Sequence, residues 1–310
     1  MKNVILTINL ILAVTSLFGQ KFTELKGDYF GQTPPGDVPA IFAPGIISVD
    51  STVEHGAPAF SPNGNEVFWQ SNYRQRGKET QIFSMTMRRV GNKWTAPEKS
   101  QLGSGFVFSI SGDLLYFNCK EEEGSVCFIE KRGKSWSEPK SFGLIERFPE
   151  LKFAYNITFT KSTLYFLGYA EGFKNNFAIY RTELVNGEYA KPELLPMNIN
   201  TPGDSILNWT PYIAPDESYL IFARRRVLPK DDYGDLYICF RNSDGSWTNP
   251  VSLGESINSK GYERFPSVSP DGKYLFFTRF VGRGNEDVFW VSAEIIDRLR
   301  EEKKPLKNKK

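Results

Sequence analysis

The sequence predicts an all-β protein, a five-bladed β-propeller whose ring is closed by an N-terminal strand. Three observations lead there. A hairpin phrase recurs five times, an aromatic residue three before a proline follows four of those copies, and a lone strand precedes the first copy with no neighbour of its own. The hairpin phrase is clearest from Ser267 to Arg279, where a short strand, the turn Ser269-Pro270-Asp271-Gly272 and an aromatic-rich strand succeed one another. Proline presets φ at the first turn position and glycine accepts positive φ at the end, so the chain reverses within four residues.

From the start of the chain, Met1-Lys2-Asn3 and the apolar run Val4 to Phe18 read as a secretory signal peptide over residues 1–19. The run is short for a bilayer span, and Gly19 supplies a small residue for cleavage. An uncleaved anchor is the other reading. No cysteine stands near Gly19 to carry a lipid, so a periplasmic or secreted product is expected, with no stable membrane insertion. Residues 20–39 are rich in Gly and Pro and form an extended lead-in. Ile41 to Ser48 then reads as the lone strand.

The copies are Ala59 to Trp69, Phe108 to Phe117, Thr158 to Phe166, Ile213 to Phe222 and the Ser267 stretch. Their last aromatics, Trp69, Phe117, Phe166, Phe222 and Phe277, lie 48, 49, 56 and 55 residues apart, the period of propeller blades. The second phrase is Trp94-x-x-Pro97, Trp136-x-x-Pro139, Tyr189-x-x-Pro192 and Trp247-x-x-Pro250. Proline cannot donate to a ladder, so the phrase marks the outermost strand of each blade, its aromatic ring packed between neighbours. The fifth copy ends after three strands and passes into a short amphipathic helix, Ala293 to Leu299. Its missing outer strand is available at Ile41 to Ser48, which would close the ring over residues 40–300 and leave no long free edge. Six blades are the alternative. Residues 301–310 are a basic, disordered tail.

The formal net charge of +2 offers no electrostatic case for nucleic acid. Cys119 and Cys127 flank one hairpin connection and are read as bridged or free with equal weight. Cys239, in Ile238-Cys239-Phe240, matches Val126-Cys127-Phe128 of an earlier copy, which points to a packing role for both.

Ser61-Pro62-Asn63-Gly64, Ala214-Pro215-Asp216-Glu217 and Ser269-Pro270-Asp271-Gly272, each before an aromatic strand, resemble the PD40 repeat, the WD40-like repeat of TolB-type propellers. The likeness runs from about residue 40 to 292, with the second and third copies departing from the turn sequence. It implies a propeller of a bacterial cell envelope and carries over no catalytic residue.

The turns are short and uniform, and the loops at the opposite end are longer and varied, so a site is expected there. The leads into the inner strands bring Glu54, His55, Trp209, Glu263 and Arg264, and the loops after the second strands bring Arg74, Arg224, Arg279 and Arg283. Together they suggest a polar pocket for an anionic or sugar-like ligand, with Trp209 as a stacking surface. The structural reading is that the charges pair with one another, as Glu263 with Arg264, and that Trp209 is core. His55 is the only histidine, which excludes multi-histidine metal centres. No nucleophile elbow, P-loop or dinucleotide fingerprint is present, and no cofactor is expected. The first expectation for function is therefore a non-catalytic, monomeric scaffold that binds an envelope protein or glycan. The alternative is a carbohydrate-active enzyme using Glu54, Glu263 and Asp204.

Overall fold

The computed structural model describes residues 24–73, 81–226, 234–282 and 285–302. The signal peptide, most of the basic tail, Arg74 and Arg283 lie outside them. The fold is all-β with two short α-helices, Leu144–Arg147 and Glu294–Glu302, and a few 3-10 turns. It is consistent with a β-propeller. Among the described residues no helix is long and apolar enough to cross a membrane.

Each repeat is an antiparallel meander of three main strands. In the fifth these are Tyr262–Val268, Tyr274–Gly282 and Asn285–Ser292; in the fourth Ile206–Ile213, Tyr219–Arg226 and Asp235–Phe240. The turn between the first two strands is built as its sequence requires. Ser269 Oγ donates to Asp271 Oδ1 at 2.6 Å and accepts from the Tyr274 N–H at 3.0 Å. Ser61, Ser109 and Thr160 place their hydroxyls to accept in the same way from Glu66, Leu114 and Thr163. The second and third copies thus keep the hydroxyl that matters while losing the proline and the aspartate. The fourth copy, with Ala214, instead uses Asp216 Oδ1 to accept from the Ser218 N–H.

The aromatic-x-x-Pro phrase is not the whole outer strand. In the first repeat Lys93–Trp94 pairs with Arg89 and Val90, the chain breaks at Pro97, and Glu98–Ser100 resumes pairing on the same edge opposite Ser84 to Thr86. Proline therefore cuts the outer strand in two. The aromatic rings do pack between neighbours: Trp136 meets Phe68 of the previous repeat, and Tyr189 meets Phe142.

The N-terminal segment lies against the fifth repeat. Ala40 and Ile41 pair antiparallel with Trp290 and Phe289, and the Phe42 N–H donates to the Val288 carbonyl at 2.8 Å. The strand is shorter than the expected Ile41 to Ser48, because Ala43 turns the chain with a φ of 47°. Thr52–Val53 then pairs with both Glu286 of the last strand and Asn72 of the first repeat, joining the two ends of the chain in one ten-stranded sheet. The N–H of Glu54 donates to the Glu286 carbonyl, as Ala154 does to Gly124 and Glu263 to Gly234. The junction of last repeat to first is made by the same bond as two junctions inside the chain.

Candidate functional site: a carboxyl cluster at the junction of last and first repeats

The inner strands of all five repeats line one central cavity of about 330 Å³, which His55, Phe106, Ile157, Tyr212, Phe265 and Ser267 help to form. Its wall carries a regular irregularity. At the lead into each inner strand one residue has positive φ: Gly56 (155°), Gly105 (68°), Asn156 (51°), Thr210 (49°) and Phe265 (52°). In the last four repeats that residue sits in a register shift of the first ladder, a bulge that re-aims the side chains on either side of it. Asparagine and glycine tolerate this conformation, whereas a β-branched threonine and a phenylalanine do so under strain. Thr210 is held there in part because its Oγ1 accepts from the Phe265 N–H at 3.2 Å.

The residues just before these bulges include His55, Trp209 and Arg264, and strand alternation separates them from Glu54 and Glu263. On one side, Arg264 grips Glu286 with two parallel bonds, Nε to Oε1 at 2.7 Å and Nη2 to Oε2 at 2.5 Å. Thr278 Oγ1 also donates to Glu286 Oε1. His55 Nδ1 lies 2.8 Å from Arg264 Nη2. The same Nδ1 lies 3.5 Å from Glu286 Oε2. Burial would raise the Glu286 carboxyl, but the imidazole and guanidinium beside it outweigh that and hold it at about 2.

On the other side Glu54 is completely buried. Its Oε1 accepts from Thr52 Oγ1 at 2.5 Å and Ser71 Oγ at 3.3 Å, and its Oε2 has no hydrogen-bond partner among the described residues. Burial pushes this carboxyl up to about 8, the Asp287 charge adds to the rise, and the two hydroxyls only partly oppose it. Asp287 is itself raised, first by burial and then by Asp50 and Glu286. Among the described residues no group of three or more His, Cys, Asp or Glu is placed to hold a metal.

Several residues picked from the sequence are spent elsewhere. Glu263 does not pair with Arg264; its Oε1 accepts from Arg279 Nε at 2.8 Å and from Ser259 Oγ at 2.6 Å. Arg279 and Arg224 each give a second bond to a backbone carbonyl, of Ile257 and Ile199 respectively. Trp209 is not a stacking surface: it is buried against Tyr262, over Gly234, where any Cβ would lie 2.7 Å from the Tyr262 ring. Asp204 is 91% exposed and 3.9 Å from Lys174, away from the cluster. His55 and Arg264 do come together, and Glu54 joins the same junction through its N–H bond to the Glu286 carbonyl, with its side chain on the other face. Cys127 packs against the cluster around Phe106 and Leu115 and is also bridged to Cys119, while Cys239 stays free and buried. Glu286 and Asp287 were missed, although two adjacent acids at the head of the apolar strand Asn285–Ser292 were a visible signal.

No family model matches the chain, and no curated protein matches it. Among solved structures it is similar to the α-L-arabinofuranosidase PaAbf62A of Podospora anserina, at 11% identity over 83% of this chain and 98% of that one, with a TM-score of 0.41. A thermostable family-43 glycoside hydrolase matches at 11% identity, 79% and 90% coverage and a TM-score of 0.48. The α-L-arabinofuranosidase of Lactobacillus brevis matches at 13%, 79% and 92%, with a TM-score of 0.46. These neighbours are glycoside hydrolases, the class of the alternative expectation and not of the non-catalytic scaffold. What this chain could itself do has to come from its own residues.

Proposed function

We propose that this protein is a carbohydrate-active enzyme that cleaves a glycosidic bond at the mouth of a closed, five-bladed ring. The shared bond at the junctions into Ala154, Glu263 and Glu54 supports the closure. The observation that carries the chemistry is that two buried carboxyls at one junction are held in opposite protonation states, Glu54 at about 8 and Glu286 at about 2. A carboxyl kept protonated at neutral pH is suited to act as a general acid. Glu54, protonated at neutral pH, gives its proton to the leaving oxygen. Asp287, whose charge Glu54 feels, is the companion that activates the attacking water. Glu286, on the opposite face of its strand and fully buried against Arg264, fixes the junction that holds Glu54.

The disulfide accords with an exported protein, as the expected signal peptide does. The PD40 likeness is kept as a proposal about the ancestry of the scaffold alone.

The test is turnover of a panel of aryl furanosides and pyranosides by the purified protein. The expected result is release of the aryl group from at least one of them, lowered by roughly 10²- to 10⁴-fold in Glu54→Gln. Failure to cleave any member, or unchanged turnover in Glu54→Gln, would overturn this reading.

A further inference from the structure

We infer that position 71 sets the protonation state of Glu54: Ser71 stands where two other repeats carry the arginine that would neutralise it. The comparison follows from the repeat itself. Two residues beyond the aligned aromatics Trp69, Phe117, Phe166, Phe222 and Phe277 stand Ser71, Cys119, Gly168, Arg224 and Arg279. Across the ladder from the last three stand Ala154, Asn208 and Glu263, and pairing of Val53 with Asn72 puts Glu54 opposite Ser71.

In the fourth and fifth repeats the arginine fills the junction. Arg224 Nε donates to Asn208 Oδ1 at 2.8 Å, and Arg279 Nε donates to Glu263 Oε1 at 2.8 Å. In the third repeat both partners have shrunk together, to Ala154 and Gly168. The first repeat keeps the acid and lacks the arginine. Ser71 reaches Glu54 Oε1 only at 3.3 Å; Oε2 is buried without a partner among the described residues, as is Oε2 of Glu263, but only Glu263 has a guanidinium on its other oxygen there. An isolated buried carboxylate is far more costly than a buried carboxylic acid, so the group takes up a proton.

The neighbours on every side agree with this. Asp287 on the last strand and Asp50 before Thr52 are acidic, and Glu286 on the same strand has Arg264 and His55 as its own partners on the opposite face. Glu263 and Arg279 are paired with each other. Ser71 is thus a positioning residue that acts through Glu54. The inference rests on the junction carboxyl of the proposed function, but on no reaction.

Infrared difference spectra and thermal unfolding from pH 5 to pH 9 test it, using the whole chain, Ser71→Arg, Glu54→Gln and Arg279→Ser. The native protein at pH 7 is expected to show a protonated-carboxyl band that Glu54→Gln and Ser71→Arg both lack. Its Tm is expected to fall as pH rises towards 8, and both variants should flatten that fall. Arg279→Ser, which leaves Glu263 in the position of Glu54, should add a second protonated carboxyl. Absence of the band from the native protein, or its survival in Ser71→Arg, overturns the inference. Should Ser71→Arg fail to fold, the band and slope of the native protein against Glu54→Gln decide the matter, with Arg279→Ser as the reciprocal case. A protein that shows the band but cleaves no glycoside removes the proposed reaction and leaves this inference standing.

Discussion

Phe42 meets Phe276 edge to face, ring centroids 4.9 Å apart at 80°, so a residue near the start of the folded chain is packed into its last repeat. Phe42 is fully buried, and Phe30, Phe60 and Trp290 complete its surroundings. Phe42→Ala should lower stability by about 3–5 kcal/mol, the range for removing a large buried aromatic. Urea unfolding curves measure this, and a loss below about 1 kcal/mol would show that the segment is an appendage. Deleting residues 24–48 should go further and abolish the cooperative transition.

Removing Arg264 leaves Glu286 buried without the guanidinium that holds both of its oxygens. Arg264→Ala should therefore cost about 3–5 kcal/mol, the penalty for breaking a buried pair from one side. Arg264→Lys keeps the charge but not the two parallel bonds, and should fall between the native protein and Arg264→Ala. Double-variant cycles with Glu286→Gln provide the check, since Arg264→Ala should cost much less once the carboxylate has gone.

Acid should weaken the protein through the same pair. The folded Glu286 carboxyl sits at about 2, below its ordinary value of 4.5, so its contribution is complete above pH 4.5 and disappears as pH falls through 2. The amount at stake is about 3 kcal/mol, at 1.36 kcal/mol per unit. Denaturant midpoints measured from pH 5 to pH 2 should drop steeply in the native protein and less in Glu286→Gln.

The Cys119–Cys127 bridge closes a small loop, with a sequence separation of 8. Loop-closure entropy for that length gives about 2.5 kcal/mol, so the Cys119→Ser, Cys127→Ser variant should be less stable by about that amount. The connection it closes carries Gly124, whose carbonyl accepts from the Ala154 N–H at 2.8 Å. Hydrogen exchange at Ala154 should therefore quicken in the variant more than exchange at Glu263, where no disulfide is involved.

The fold was legible because turn chemistry and aromatic spacing repeat along the chain, and because a strand without a partner had one place to go. What the sequence hid was the pairing across repeats. Arg279 and Glu263 looked available until the ladder showed them facing each other, and Arg224 until it was seen to face Asn208. Trp209 looked like a platform until Gly234 and Tyr262 were seen to enclose it. Ser71 is the instructive miss. It stands two residues beyond an aromatic that the repeat alignment already used, but a serine attracts notice only when its counterparts are known to be arginines, one holding an amide and the other an acid. The bulges were hidden for another reason: Thr210 and Phe265 are poor residues for positive φ, so local preference argued against the conformation that tertiary contacts impose.

The interruption at Pro97 has a bearing on how these molecules behave towards one another. A rim cut into segments of two or three residues, with a proline at each break, offers an approaching copy few consecutive donors and acceptors to zip onto. Outer edges of this kind, which also carry Lys93, Glu98, Lys99 and Lys140, resist accretion into fibres, so crowding should be tolerated.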